Sequence, residues 1–542
     1  MKNDMRKLTI LGIWIGAAVI CIAIVCFLLP GQILNAVTLK SDIIRLESTA
    51  KKKSQLYDVK YQQGRLRQLN KLKQKKKYTE KDMLLVYNPF ELNVQSIYVY
   101  FNTKKAASVT YTVHVDDDKI NDFTAKLYNE GANQYTKKHE YQLIGLIPEV
   151  ENTVTLEIQY KDGETQIKKF KFTPDALTGT EYKILPSTEG TSSQQLSNGL
   201  YAVFSENKYL YYYDNDGVIR TEIPILSYRV VNLLFSEDKM YYSISKSQIA
   251  EMNRLGQITN VYSMGQYHLH HDYCFDGNGN MLILATDTKG DSVEDRIIQL
   301  NLKNGKVKQI IDLADFYPDY YEEHMEFTKT NGDYDWMHLN TIQWIKGDSI
   351  IVSARETSAV IKIKNIYKKP EVEYMLSEKS FWKGTRYKDL LYKKASKFRS
   401  QTGQHTVTYE EDSSLKTGQY YLHMFNNNVG MTYSRPDYDW NAHFDKITNS
   451  GTKGYASYYY KYLVDETNKT YDLVESYEVP YSGYVSSTQH FGGNHIVDSG
   501  QAFTFSENDS KGNVIRQFDL TKEGKYCYRV FKYTFEGFYF AE

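Results

Sequence analysis

From about residue 85 to its end the chain is written in short alternating strands separated by polar turns. That pattern limits the fold more than any other feature of the sequence. Ser96-Ile-Tyr-Val-Tyr-Phe101, Val109-Thr-Tyr-Thr-Val-His-Val115 and Thr153-Val-Thr-Leu-Glu-Ile158 alternate with the period of two of half-buried strands. Residues 83–175 read as a small β-sandwich. From 184 to 542 the turns recur at blade-like spacing, as in Asp214-Asn-Asp-Gly217, Asp276-Gly-Asn-Gly279 and Lys346-Gly-Asp348. Gly and Asn accept the positive φ that tight hairpins require. Breaks near 226, 265, 330, 395 and 481 divide this part into six units of about 40–85 residues, which predicts a six-bladed β-propeller. Residues 314–335 and 426–455 read as long insertions, where a rigid β scaffold often carries function.

The expected fold class is therefore all-β, and 49 Tyr against 10 Pro supports it. Lys plus Arg and Asp plus Glu each number 66, and this zero balance argues against a nucleic-acid partner. Four Cys rule out a dense disulfide framework and Cys-rich zinc modules. Two of them, Cys21 and Cys26, lie in the first apolar run. Cys274 and Cys527 read as free buried thiols, with a single bridge between them as the alternative.

Leu8 to Leu29 is an uncharged run of 22 residues. As a helix it would span about 33 Å, enough for a bilayer core. It exceeds the apolar core of about 7–15 residues of a cleaved signal. Lys2, Arg6 and Lys7 precede it, which favours a cytoplasmic amino end. Residues 1–30 are thus expected to be a tip and single-pass transmembrane anchor in the cell membrane, with the rest extracytoplasmic. Residues 31–82 read as a basic helical stalk. Its apolar stripe, Leu39, Ile43, Leu46, Ala50, Leu66, Leu69 and Leu72, is interrupted, with Gly64 inside it, so a solvated spacer is expected rather than a coiled coil.

The histidines of the propeller recur in register. His270 precedes Leu282 by 12 positions, and His338 precedes Ile350 by 12. Gln404-His405-Thr-Val407 is a third instance. Innermost strands of a propeller surround one axis, so the three imidazoles are expected to converge at one mouth of the channel. Arg355, one strand further on, is expected to reach the same mouth. A guanidinium fork with imidazole donors suits a tetrahedral oxyanion, and a neutral imidazole is a nucleophile. His268 lacks the register and reads as a bystander. The alternating faces of His270 and His271, and the lack of a His/Glu pair at helical spacing, argue against a metal, with a three-histidine site on three strands as the alternative. The sequence contains no Gly-x-Ser-x-Gly elbow, Walker loop or dinucleotide fingerprint.

At these stretches the chain resembles the bacterial arylsulfate sulfotransferases. The matching residues are His270-His-Asp272, Asp335-Trp-Met-His-Leu-Asn340, Ser353-Ala-Arg355, Gly403-Gln-His-Thr-Val407, Phe425-Asn-Asn427 and Gly493-Asn-His-Ile-Val-Asp-Ser-Gly500. Gly145-Leu-Ile-Pro148 resembles the family's amino-terminal sandwich. The resemblance implies sulfuryl transfer from a phenolic sulfate ester to a phenol through a sulfohistidine, without the nucleotide donor PAPS or any other cofactor. It implies His405 as nucleophile, and His338 and Arg355 as sulfate-binding and transition-state groups. His270 matches the further histidine, with His271 as a near alternative. Asn340 belongs to the matching motif, and Ser486 or Ser487 would supply a hydroxyl. Tyr228, Tyr484 and Trp336 are candidate rings for the phenol. The implied partners are small phenolic donors and acceptors, with a homodimer left open. The alternative is a noncatalytic cell-surface propeller that binds an anionic or phenolic ligand.

Overall fold

A computed structural model describes residues 36–542 apart from 130, 132, 133, 326–328, 331, 332, 449, 450 and 452. The expected anchor, Leu8–Leu29, lies outside the described residues. Among the described residues no helix is long and apolar enough to cross a membrane.

The architecture is all-β with six blades around one axis. Each blade carries four antiparallel strands, and the innermost strands of blades 2 to 6 are Leu233–Ser236, Tyr267–Phe275, Leu339–Ile345, His405–Glu410 and Ser487–Phe491. Blade 1 is completed from the far end of the chain. Its outer strands are Leu200–Ser205, Tyr209–Tyr213 and Ile219–Pro224, and its innermost strand is Cys527–Tyr533. Nothing in the turn spacing announces this closure. Ser187–Glu189 adds in turn to the outer edge of blade 6. Tyr201, Tyr211, Tyr212 and Tyr213 are fully buried between blades, so much of the tyrosine excess is packing.

The ring is locked where its two ends meet. Lys532 on the closing strand donates to Glu507 of blade 6 at 2.7 Å, and both side chains are wholly buried. Asn494 Nδ2 and the Ser197 amide also donate to Glu507. Burial pulls the Lys532 ammonium down to about 8, against the raising pull of Glu507. Removing one partner strands the other charge, so Lys532→Met is expected to destabilise the protein by about 3–5 kcal/mol. A lower denaturant midpoint with an unchanged slope would register the loss.

The amino-terminal domain is a folded-over sheet of eight strands. Its long strand, Ile97–His114, serves two leaves. The first half pairs with Leu84–Tyr87 and Thr136–Leu143, the second with Phe123–Lys126 and Asn152–Tyr160. Val99, Val109, Leu143 and Leu156 fill the core between them. The domain docks on blade 1, where the Gly145 amide donates to the Arg220 carbonyl and Arg220 returns a bond to the Gly145 carbonyl. Gly145 has φ +93°, and a Cβ there would meet the Phe123 ring at 2.7 Å.

The expected helical stalk is not a spacer. Ile43–Arg45 pairs in parallel with Leu85–Tyr87, and among the described residues of this stretch only Lys53–Leu56 and Val59–Gln74 are helical. The longer helix buries Gln62, Arg65, Leu69 and Leu72, one face at helical spacing. Two of these are polar, which is why an apolar stripe looked broken. Gln62 Nε2 donates to the Phe90 carbonyl and Arg65 to the Pro89 carbonyl, so the donors of both side chains reach the sandwich. Tyr57 ties the helical segment to the propeller, its hydroxyl donating to the Pro224 carbonyl at 2.8 Å.

Candidate active site

The inner strands do not run regularly up to the mouth of the channel. In blade 3 Leu269 pairs with Ala285 and Tyr273 with Ile283, so His270, His271 and Asp272 sit opposite one residue. In blade 4 Asn340 is extra between Leu339 and Thr341. In blade 5 Thr406 and Val407 sit opposite Met424. Such bulges re-aim side chains. The backbone turns left-handed at or beside them, with φ of +46° at His271, +51° at His338 and +53° at Thr406, and also ahead of the inner strands of blades 2 and 6, with +66° at Tyr228 and +87° at Ser486. This conformation costs non-glycine residues energy and clusters at functional sites.

The bulges bring the imidazoles into a row across blades 3, 4 and 5. Ring centroids are 5.1 Å apart for His270 and His271, 4.7 Å for His271 and His338, and 6.5 Å for His338 and His405. The 12-residue register paired His270 with His338. The shared left-handed position and the shorter step pair His271 with His338 instead, because the blade 3 bulge is longer. His270 lies behind His271, its Nδ1 3.0 Å from the His271 Nδ1. His268 is exposed, outside the row.

His405 is buried and held by acceptors alone on one side. Its Nδ1 lies 2.8 Å from Asn427 Oδ1 and 3.1 Å from the Gly403 carbonyl, so this nitrogen carries the proton. The Asn427 amide cannot be reversed without loss, because its nitrogen donates to the carbonyls of Ser482 and Val485. The Nε2 lone pair is thereby the reactive one. Burial and then the Arg355 cation hold His405 well below the usual imidazole range, so it is neutral.

His338 is arranged oppositely. Its Nδ1 faces the carboxylates of Asp335 and Glu294, with Glu294 Oε2 at 3.0 Å. Burial pulls its pKa down, but Asp335 and Glu294 together hold it up to about 9, so it is an imidazolium at neutral pH. Burial pushes the Glu294 carboxyl up to about 7, against the pull of the His338 cation. Two neighbouring imidazoles thus have their pKa values pushed apart, the signature of distinct proton roles.

Arg355 joins them through the backbone, its amide donating to the His338 carbonyl at 3.1 Å. Its guanidinium donates to Glu356, which also accepts from the amides of Tyr433 and Ser434. The 426–455 insertion thus braces the partner of the arginine through Tyr433 and Ser434, and it also supplies Asn427 to His405. The 314–335 insertion supplies Asp335.

Several other expected site residues are bonded within the scaffold. Asn340 is fully buried and donates to the Gln404 carbonyl at 2.7 Å, which fixes the backbone just before His405. Arg529 binds the Asn340 carbonyl and Asp272, joining blades 1, 3 and 4. The Ser486 hydroxyl donates to Ser482 and accepts from the Gly500 amide, while Ser487 exchanges hydrogen bonds with the Val530 backbone. Both hydroxyls are thus engaged within the scaffold. Trp336 is wholly buried and donates to Asp295, so it is core. Tyr228 and Tyr484 are part-exposed, with Tyr484 edge-on to Tyr526 at 5.7 Å. A cavity of about 330 Å³ opens beside the row, lined by Tyr228, Lys246, His268, His270 and Glu294.

Glu294, Asp335, Asn427 and Arg529 were not singled out from the sequence. Asn427 stood inside a matching stretch, and Asp335 opened the motif that contains His338. Glu294 carried no signal, since a carboxylate from another loop has no spacing to the histidines. It matters for metals, because Glu294 with His270 and His271, and Glu294 with Asp335 and His338, place ligand atoms within 4.8 Å of one another.

Solved structures share the architecture only distantly. They include a functionally unknown protein from Desulfotomaculum acetoxidans, 9% identical with a TM-score of 0.35, covering 62% of this chain and 99% of that one. An auxiliary nutrient binding protein from Bacteroides thetaiotaomicron is 8% identical with a TM-score of 0.29, covering 80% and 95%. The WD40 domain of Toxoplasma gondii coronin is 10% identical with a TM-score of 0.30, covering 63% and 75%. At these scores they add nothing to what the strands show. Among curated proteins no sequence relative matches the chain. Family models do match: the arylsulfotransferase Ig-like domain over residues 84–175, and arylsulfotransferase (ASST) over residues 187–534. With the larger match covering well over half its length, the chain belongs to the arylsulfotransferase family, enzymes that transfer sulfuryl groups.

Proposed function

We propose that this protein moves a sulfuryl group from a phenolic sulfate ester to a phenol through a sulfated His405, without PAPS. The observation that carries the reading is the fixed tautomer of His405, whose proton is committed to Asn427 and Gly403. In the first half-reaction Nε2 attacks sulfur, the N–S bond forms and the S–O bond to the aryl group breaks. The departing phenolate takes a proton from the His338 imidazolium. In the second, an acceptor phenol gives its proton to His338 as its oxygen attacks sulfur, and the N–S bond breaks. Arg355 neutralises the charge that builds on the sulfuryl oxygens.

The direct test mixes p-nitrophenyl sulfate and phenol with purified protein and no nucleotide. Phenol-dependent release of p-nitrophenol, matched one for one by phenyl sulfate, supports the proposal. Release to water alone, or a requirement for PAPS, would sink it.

The state of His338 sets a pH profile. Turnover of phenyl sulfate, a poor leaving group, is expected to hold through neutral pH and fall as pH rises through about 9. Asp335→Asn should move that falling limb to lower pH by about one unit. The His338 pKa lies above its unfolded value, so the stability from this ion pair is complete below about 6.5 and lost as pH passes about 9. An unmoved limb in Asp335→Asn would remove His338 from the proton transfer.

We also place residues 1–30 in the cell membrane and the propeller outside the cytoplasm. The apolar length of Leu8–Leu29 supports this. Full-length protein should sediment with membranes, and a chain lacking residues 1–30 should not.

A further inference from the structure

The inner strand of blade 5 carries chemistry at both ends. His405 begins it and Glu410 ends it, about 16 Å away at the usual rise of about 3.3 Å per residue. At that far end Glu410 meets His423, from the next strand of the blade, and His490, from the inner strand of blade 6. One carboxylate oxygen contacts the His423 Nε2, and the other lies 2.9 Å from the His490 Nδ1. One ligand atom from each residue falls within 4.8 Å of the others. The proposed sulfuryl chemistry uses none of the three.

We propose that Glu410, His423 and His490 form a binding site for a divalent transition-metal ion of the zinc type. Two imidazoles and a carboxylate are ligands such an ion favours, with a fourth position left for water. A tetrahedral ion about 2.1 Å from each ligand separates the ligand atoms by about 3.4 Å, so the three need shift little. His490 and Glu410 are 35% and 28% exposed while His423 is 1% exposed, which gives a buried floor and an open side for entry.

A chain of outer contacts supports the arrangement. His423 Nδ1 bonds to the Tyr459 hydroxyl, which lies 3.3 Å from His495 Nε2, and Tyr477 lies 3.2 Å from His495 Nδ1. A metal-bound His423 must keep its proton on Nδ1. Tyr459 can accept that proton's hydrogen bond and turn its own O–H to His495. Partners of this kind orient ligating histidines and hold the tautomer. Lys461 Nζ, 3.9 Å from Glu410, is the neighbouring cation that an ion would have to tolerate.

The test uses full-length protein freed of metal with chelator and then titrated with Zn²⁺. Wild type should retain one Zn²⁺ per chain after desalting and gain thermal stability from it. His490→Ala and Glu410→Gln should each lose both effects while keeping phenyl sulfate turnover, which shows that they fold. Glu294→Gln should still bind, because the ion is not at the histidine row. No retained Zn²⁺ in wild type, unchanged retention in His490→Ala, or retention lost in Glu294→Gln would overturn the site. Sulfuryl transfer is scored separately, so failure here leaves that reading standing.

Discussion

His405→Ala is expected to lower sulfuryl transfer by about 10⁴-fold or more, whatever the acceptor, because it deletes the atom that accepts sulfur. Substrate binding should change far less, since Arg355 and His338 remain. Both half-reactions pass through this nitrogen, so wild type should show ping-pong kinetics. Asn427→Ala is the informative neighbour. It leaves the ring in place but frees its tautomer, and a loss of kcat with little change in KM would mark a positioning residue. Steady-state rates with p-nitrophenyl sulfate measure all three. Turnover by His405→Ala within tenfold of wild type would place the nucleophile elsewhere.

Arg355→Ala is expected to cost about 10²–10³-fold in kcat/KM, the usual loss when one preorganised charge donor is removed, or about 3–4 kcal/mol. Part of that loss would be structural. Glu356 is wholly buried and pairs with Arg355, and without it keeps only the amides of Tyr433 and Ser434. Burial already raises the Glu356 pKa, so the lone carboxyl should take up a proton rather than remain charged. Arg355→Lys separates the two effects. It restores a cation beside Glu356 but not the planar fork that matches sulfuryl oxygens. Near wild-type thermal stability with at least tenfold lower kcat/KM is the expected pattern. Full activity in Arg355→Lys would make the fork irrelevant and leave only charge.

The sequence made the all-β class and the unit count legible because hairpin turns must be spelled with Gly, Asn and Asp at short range. Ring closure by Cys527–Tyr533 was not legible, since pairing between residues some 330 positions apart leaves no local pattern. The docked helix was missed for a different reason. Gln62 and Arg65 point their polar ends at carbonyls of the sandwich, so a hydrophobic count treats a buried face as broken.

At the candidate site, the meeting of His338 with His405, and of Arg355 with the His338 backbone, was readable from motif and recurrence. Which neighbour of the His270-His271 pair meets His338 was not, because bulges of unequal length defeat counting along a strand. Nor was the difference in charge between His338 and His405. That depends on Asp335, Glu294 and Asn427, which fold in from other segments, and two imidazoles of identical sequence chemistry end up in opposite protonation states. The scaffold bonds of the Ser486 and Ser487 hydroxyls were likewise not legible, because their partners Gly500 and Val530 come from other segments.

The central claim is a covalent one, and intact mass tests it most directly. Protein mixed with an aryl sulfate and no acceptor should gain the mass of one sulfuryl group, mapped by fragmentation to His405 and discharged when phenol is added. No added mass under conditions of active turnover, or the same added mass on His405→Ala, would contradict the account.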